Sequence, residues 1–191
     1  MRYLVFDIET RGSFSRGRLN PEELELTVLG AYDSATDTYA SYVKEELHEF
    51  WPSIERADLL IGFNSDTFDI PILNRYYPGD LTKLPSLDLL TEVQKALGKR
   101  IRLDALAQGT LGRGKSGDGL KAGVWWEEGK HDLVRSYCIE DVRITKEIYE
   151  HALAHGSLAY KDLREKREFV LDTSAWHAAP ASVPLTHALP L

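Results

Sequence analysis

The chain has a single cysteine, Cys138, so no disulfide can form within it. That usage fits a reducing compartment. Long apolar runs are missing too. The N-terminal stretch MRYLVFDIET reaches an acid at Asp7, too early for a signal-peptide core and far too early for a membrane span. The other apolar runs are strand-length, so the chain reads as cytosolic, with no membrane partner. No internal repeat is visible, which excludes solenoids and propellers. Positive charge is also in deficit: the formal net charge is −7, the opposite of the basic footprint usual for a nucleic-acid binder.

That last deficit is global and not local. Between residues 95 and 121 seven bases (Lys95, Lys99, Arg100, Arg102, Arg113, Lys115, Lys121) face only two acids, Asp104 and Asp118. Arg11, Arg16 and Arg18 form a second basic group. A metal site would also neutralise several carboxylates, so the distribution of charge carries more information than its sum.

With 191 residues, 43% of them hydrophobic, the chain can bury about 70% of its unfolded surface and needs no covalent staples. One domain is expected over residues 1–176. The Ala/Pro-rich remainder, 177–191, is expected to be a mobile tail.

The order of elements reads as α/β with a mixed sheet. YLVFDI is a buried strand, followed by a polar loop from Thr10 to about Asn20. Residues 27–34 and 38–44, β-branched and aromatic, form a hairpin across Ser34–Asp37. Residues 45–57 are helical, with Pro52 bending or splitting the helix. DLLIGFN is a second buried strand, followed by a short helix that begins near Pro71. LPSLDLL holds a third strand, TEVQKALG and RLDALAQGTLG are helices, and Gly112 to Gly123 is a loop with five glycines. Residues 131–156 carry the clearest helical period, with Leu133, Ile144, Ile148 and Leu153 on it and Gly156 as its C-terminal cap. His151 and His155, four apart near its end, read as partners of the helix dipole, with a metal-binding pair as the alternative. Residues 157–176 form a last hairpin. Trp125 and Trp126 read as core, with a partner-facing role as the alternative.

One string invites a different reading. GTLGRGKS, residues 109–116, has the spacing of a phosphate-cradling P-loop. A working P-loop follows a buried strand and opens a helix, so that backbone amides converge on the phosphates. Here LDALAQ, before Gly109, reads as helix, and GDGLKAG, after Ser116, is glycine-rich. The letters stand in the wrong setting, and a nucleotide triphosphatase is disfavoured.

The carboxylates are more informative. VFDIET places Asp7 and Glu9 two apart at the end of a buried strand, on one face. Two acids beside apolar residues repel each other unless cations lie between them; the alternative is a surface strand end with two solvated acids. Asp66 and Asp69 sit just beyond the second strand, where α/β sheets gather their sites. Helix-capping is the simpler reading of Asp66 and a helix-dipole role that of Asp69. Tyr137 and Asp141, four apart, share one face of the long helix.

Taken in order, FDIET, then N-S-D-T-F-D (Asn64 to Asp69), then Y-C-I-E-D (Tyr137 to Asp141) resemble the three motifs of the DEDD 3′–5′ exonuclease superfamily. The resemblance is to its tyrosine (DEDDy) branch, and N-x-x-x-F-D is similar to the proofreading exonuclease domains of family-B DNA polymerases. The histidine branch has a His five residues before the last Asp, where this chain has Ser136. The resemblance spans about residues 1–155. It implies a ribonuclease H-like mixed sheet flanked by helices and two divalent ions, Mg²⁺ or Mn²⁺. By that resemblance Asp7 would bridge both ions, Glu9 and Asp141 would help hold the one carrying the attacking water, Asp69 would serve the other, and Tyr137 would orient the water. It further implies a 3′ end of single-stranded DNA or RNA as substrate, near Asn64 and Phe68, with a nucleoside 5′-monophosphate released. The Gly-basic loop gains a role as well: Arg113, Lys115 and Lys121 would meet backbone phosphates, together with Lys99, Arg100 and Arg102. Phe14 and the nearby arginines are further candidates for strand contact. The 191 residues hold no polymerase domain and no added nucleic-acid module, so modest affinity and a protein partner supplying more of it are expected. The alternatives are a structure-selective endoribonuclease of the same fold and a catalytically silent binding module. The latter would be marked by a missing motif carboxylate, and none is missing.

Overall fold

A computed structural model of the chain describes residues 1–12, 23–114, 120–163 and 165–176. Strands β1 (Tyr3–Arg11), β2 (Glu25–Asp33) and β3 (Thr38–Val43) come first, then helix α1 (Leu47–Ile54), strand β4 (Leu59–Gly62) and helix α2 (Asp69–Leu73). Strand β5 (Ser86–Asp88) leads directly into α3 (Leu89–Leu97), followed by α4 (Leu103–Thr110), α5 (Leu120–Glu127) and the long α6 (His131–His155). Strands β6 (Ser157–Asp162) and β7 (Glu165–Val170) close the series.

Five strands form one sheet in the order β3-β2-β1-β4-β5, and β6 pairs with β7 in a second, two-stranded sheet. β1, β2 and β3 are antiparallel neighbours, while β4 and β5 run parallel to β1. The sheet is therefore mixed, as expected. Parallel neighbours need a crossover, and α2 supplies it between β4 and β5.

Alternation along β1 divides the molecule. Leu4, Phe6 and Ile8 enter a core shared with Leu47, Phe50 and Ile54 of α1 and with Ile70, Ile72 and Leu73 of α2. Val5 faces the other way, into a core built from α3, α4, α6 and β6. Asp7 and Glu9 continue the face of Val5, so the apolar stripe beneath α6 turns acidic toward the end of the strand.

Two glycines permit the close packing that follows. Gly30 stands opposite Asp7 in the β1–β2 ladder. A Cβ there would lie 2.9 Å from Cys138 Sγ and 3.2 Å from Val142 Cγ2, so its absence lets α6 settle onto the sheet. A Cβ on Gly109 would lie 2.4 Å from Tyr160 Cα. The next residue, Thr110, donates its hydroxyl to the Ala159 carbonyl (2.7 Å) and accepts the Ala159 N–H (3.0 Å). The first two letters of the P-loop-like string thus fasten α4 to β6.

Several boundaries differ from the sequence reading. Thr10 and Arg11 belong to β1 and not to the following loop, because both still pair with β2. Helix α2 begins at Asp69, with Pro71 its third residue, a position whose N–H has no intrahelical acceptor in any case. Helix α3 begins at Leu89 because Asp88 is its N-cap, accepting the N–H of Leu90 (2.9 Å) and Thr91 (3.4 Å). Helix α5 occupies part of what read as loop, and Lys121 lies on it. Leu133 faces solvent, although it fits the apolar period of α6. The expected tail, 177–191, lies outside the described residues, as do Phe14, Arg16 and Arg18. Among the described residues no helix is long and apolar enough to cross a membrane.

Candidate active site

Three acids from two distant parts of the chain meet at the end of β1. Asp7, Glu9 and Asp141 each place a carboxylate oxygen within 4.8 Å of the others, and among the described residues theirs is the only such group of potential metal ligands. Glu9 and Asp141 are buried. A β-bulge follows at once: the register shifts between Glu9 and Thr10, leaving Thr27 of β2 as the extra residue. Bulges bend the strand that carries the extra residue, here β2, and this one lies directly beside Glu9.

Asp141 and Tyr137 are one turn apart on α6, and both are buried. Between them Cys138 points at the sheet, its Sγ 3.3 Å from the Asp7 carbonyl oxygen and 3.7 Å from Asp7 Oδ2. Burial pushes the thiol pKa well up, and the nearby charges of Asp7, Glu9 and Asp141 push it further. Cys138 is therefore a protonated thiol beside the acids. Sequence reasoning used it only to exclude a disulfide; its place between Tyr137 and Asp141 on the helix was the available clue.

Asp69 arrives differently. β1 extends past its pairing with β4, which stops at Val5 and Ile61. On that uncovered edge the Ile8 N–H donates to Asp69 Oδ1 at 3.1 Å. Burial raises the Asp69 pKa to about 7, against the lowering effect of the Ile8 bond. Asp69 is thus tied to the backbone between Asp7 and Glu9, adjacent to the three-acid cluster and not within it.

The turn that delivers Asp69 is held by a residue the sequence reading passed over. Asp88, buried, accepts the N–H of Asn64 at 2.7 Å and of Asp66 at 3.3 Å, besides capping α3. An aspartate just before a helical run is a legible N-cap signal, although its grip on the β4–α2 turn is not. Asp66 itself accepts the Ser86 hydroxyl at 2.8 Å and belongs to the turn.

The expected substrate contacts divide. Asn64 has a left-handed backbone, φ +68°, and its side-chain oxygen accepts from Arg100 at 2.5 Å and from Thr67 at 3.0 Å. Phe68 packs, partly buried, against the α1–α2 core. The Arg113 guanidinium pairs with Glu140 at 2.5 Å and Glu147 at 2.7 Å on α6. Lys115 lies outside the described residues, and Lys121 is exposed on α5. Lys99 lies over the Tyr160 ring, 4.8 Å from its centroid. The ring centroids of His151 and His155 are 4.3 Å apart, but the two join no metal-ligand group of three among the described residues.

The P-loop reading fails on geometry as well. Gly109 and Thr110 end a helix, with no strand before them, and Gly112 (φ +70°) follows the end of α4.

A family model of the RNase H superfamily matches residues 4–153, which take in every element from β1 to nearly the end of α6. Among solved structures, a family B DNA polymerase from the hyperthermophilic archaeon Pyrobaculum calidifontis is similar, with a TM-score of 0.59 and 22% identity over 80% of this chain. The match takes in 24% of that polymerase chain, and at this identity it speaks to the fold. No curated protein matches.

Proposed function

The chain belongs to the RNase H superfamily, and from that premise we propose that it is a 3′–5′ exonuclease hydrolysing phosphodiester bonds at single-stranded ends with two divalent cations, Mg²⁺ or Mn²⁺. The observation that carries the proposal is the meeting of Asp7, Glu9 and Asp141 within 4.8 Å, beside the tyrosine one turn away on α6. Three carboxylates so close repel one another strongly. Their all-oxygen donor set suits hard cations, which relieve that repulsion. Asp7, Glu9 and Asp141 would hold the ions, with Asp69 completing the acidic wall. When bound, such ions stabilise charge on the phosphoryl oxygens and lower the pKa of a bound water.

The chain's own groups supply the rest. The Tyr137 hydroxyl orients the attacking water. Water oxygen bonds to phosphorus, the bond from phosphorus to the 3′-oxygen of the penultimate nucleotide breaks, and that oxygen takes up a proton. A nucleoside 5′-monophosphate leaves, and a new 3′-hydroxyl remains. Burial of Glu9, Asp69 and Asp141 excludes water around them, which strengthens each electrostatic interaction.

The test is a 5′-labelled single-stranded DNA or RNA incubated with Mg²⁺ or Mn²⁺, beside Asp7→Ala. A ladder shortening from the 3′ end, absent in the variant, is expected. Internal cuts in a substrate with a blocked 3′ end would replace this reading with an endonuclease, and no cleavage with either metal would overturn it.

A further inference from the structure

Helix α5 lies against α6 beside Tyr137. On its inner side Ala122 is enclosed, while Trp125 and Trp126 are half-buried to either side of it. Both tryptophans pack against a small core of Val28, Ala122, Val134, Tyr137 and Cys138. Trp126 is occupied by a stacking contact with His131, ring centroids 4.1 Å apart. Trp125 instead meets Tyr137 edge-on, with centroids 6.0 Å apart and planes at 73°. Trp125 is only half-buried there, so part of it stays open to solvent. Lys121, exposed, is four residues earlier and therefore on the same edge of the helix.

The end of α5 is firmly fixed. The Lys130 N–H donates to the Trp125 carbonyl (2.8 Å) and the Gly129 N–H to the Trp126 carbonyl (3.0 Å), with Gly129 at φ +74°. That pair of bonds is a Schellman motif. It locks the Trp125 backbone to the start of α6, the helix that carries Tyr137 and Asp141.

We infer that Trp125 and Lys121 form a nucleotide subsite, the indole face stacking on a base next to the scissile phosphate and the ammonium pairing with a backbone phosphate. The inference rests on the nuclease reading above and adds to it the groups that grip the strand. An aromatic face paired with a cation suits single-stranded nucleic acid of any sequence, because every base has a π-face and every linkage a charge. It also gives a globally acidic chain a local means of holding a polyanion.

The test measures binding separately from cleavage. Oligonucleotides whose last two linkages are 3′-methylene phosphonates, which water cannot hydrolyse, are titrated in Mg²⁺, with the last two nucleotides either normal or abasic. The wild type is expected to bind the normal strand about 5- to 100-fold more tightly, the range for loss of one stacked base. Trp125→Leu should abolish that difference, and Trp125→Phe should keep part of it, which also covers the case in which the leucine variant folds poorly. Lys121→Gln should lower the slope of log Kd against log salt by about 0.7 while keeping the preference for bases. Equal affinity of the wild type for both strands, or full discrimination in Trp125→Leu, would overturn the subsite. The nuclease reading fails on a different result, an unshortened ordinary strand, so the two failures are distinguishable.

Discussion

The two faces of β1 are built from alternate residues of one strand, and they do opposite things. Leu4, Phe6 and Ile8 point into the α1–α2 core and are closed in apolar side chains. Val5 begins the same way on the other face, but Asp7 and Glu9 follow it beneath α6, where Asp141 joins them. One face lowers the free energy of the fold by removing hydrocarbon from water. The other spends some of that stability to hold like charges together. A site of this kind needs the rigidity that the opposite face provides, because charge held in place is useful only if the backbone beneath it cannot relax.

The largest expected effect breaks the apolar side. Phe6→Ala should cost about 3–5 kcal/mol of stability, the range for emptying a buried aromatic position. A urea titration would show the lower midpoint. If the comparison holds, the fraction that remains folded keeps its turnover number.

Next is the pH response of the acidic side. The folded pKa of Asp69 is about 7, above its ordinary 3.8. The native state therefore retains a proton that the unfolded chain has released. In metal-free buffer stability should fall as the pH rises from about 4 to about 7 and level off above, by up to roughly 4 kcal/mol. Asp69→Asn should flatten that slope; an equal slope in the variant would assign it to other groups. Mg²⁺ or Mn²⁺ works in the opposite sense, raising the melting temperature of the wild type by the equivalent of about 2.7 kcal/mol at a hundredfold excess over Kd. Glu9→Gln should blunt the gain.

Tyr137→Phe should slow turnover by roughly 10²-fold with metal-induced stabilisation retained, since only a hydroxyl is lost. Single-turnover kinetics would read it, and an unchanged rate would remove Tyr137 from the reaction. The smallest effect tests the seam between strand and helix. Gly30→Ala should cost about 1–3 kcal/mol by overpacking against Cys138. Adding Cys138→Ala should recover part of that loss, a coupling that a double-mutant cycle would measure.

Legibility followed the range of the interaction. The acids of β1 were readable because a strand's period of two puts Asp7 and Glu9 on one face wherever the strand lies. Tyr137 and Asp141 were readable because a helix puts i and i+4 together. The resemblance to a family linked these local pairs. Asp88 escaped, since its reach to Asn64 and Asp66 depends on β4 and β5 lying side by side. The ion pairs of Arg113 escaped too, because its acidic partners, Glu140 and Glu147, are near only after α4 and α6 have packed. The end of the Gly-rich segment was misread because α5 is held from outside, by its contact with α6 and the Schellman motif at Gly129, and its local composition gives a poor helix signal.

By itself the sequence determined the elements whose causes are local: the pleat of β1, the length and cap of α6, the hairpin of β2 and β3. It also determined the absence of any setting for a P-loop. Only the tertiary structure decided that Asp141 meets Asp7 and Glu9, that Cys138 lies against them, that Arg113 is bound by its own chain, and that Trp125 stands beside Tyr137. The reason is that each contact joins elements that only packing brings together, and for Asp141 and Cys138 that packing is the approach of α6 to the sheet. Gly30, a residue with no side chain, permits that approach, and its effect is visible only once both surfaces are in place.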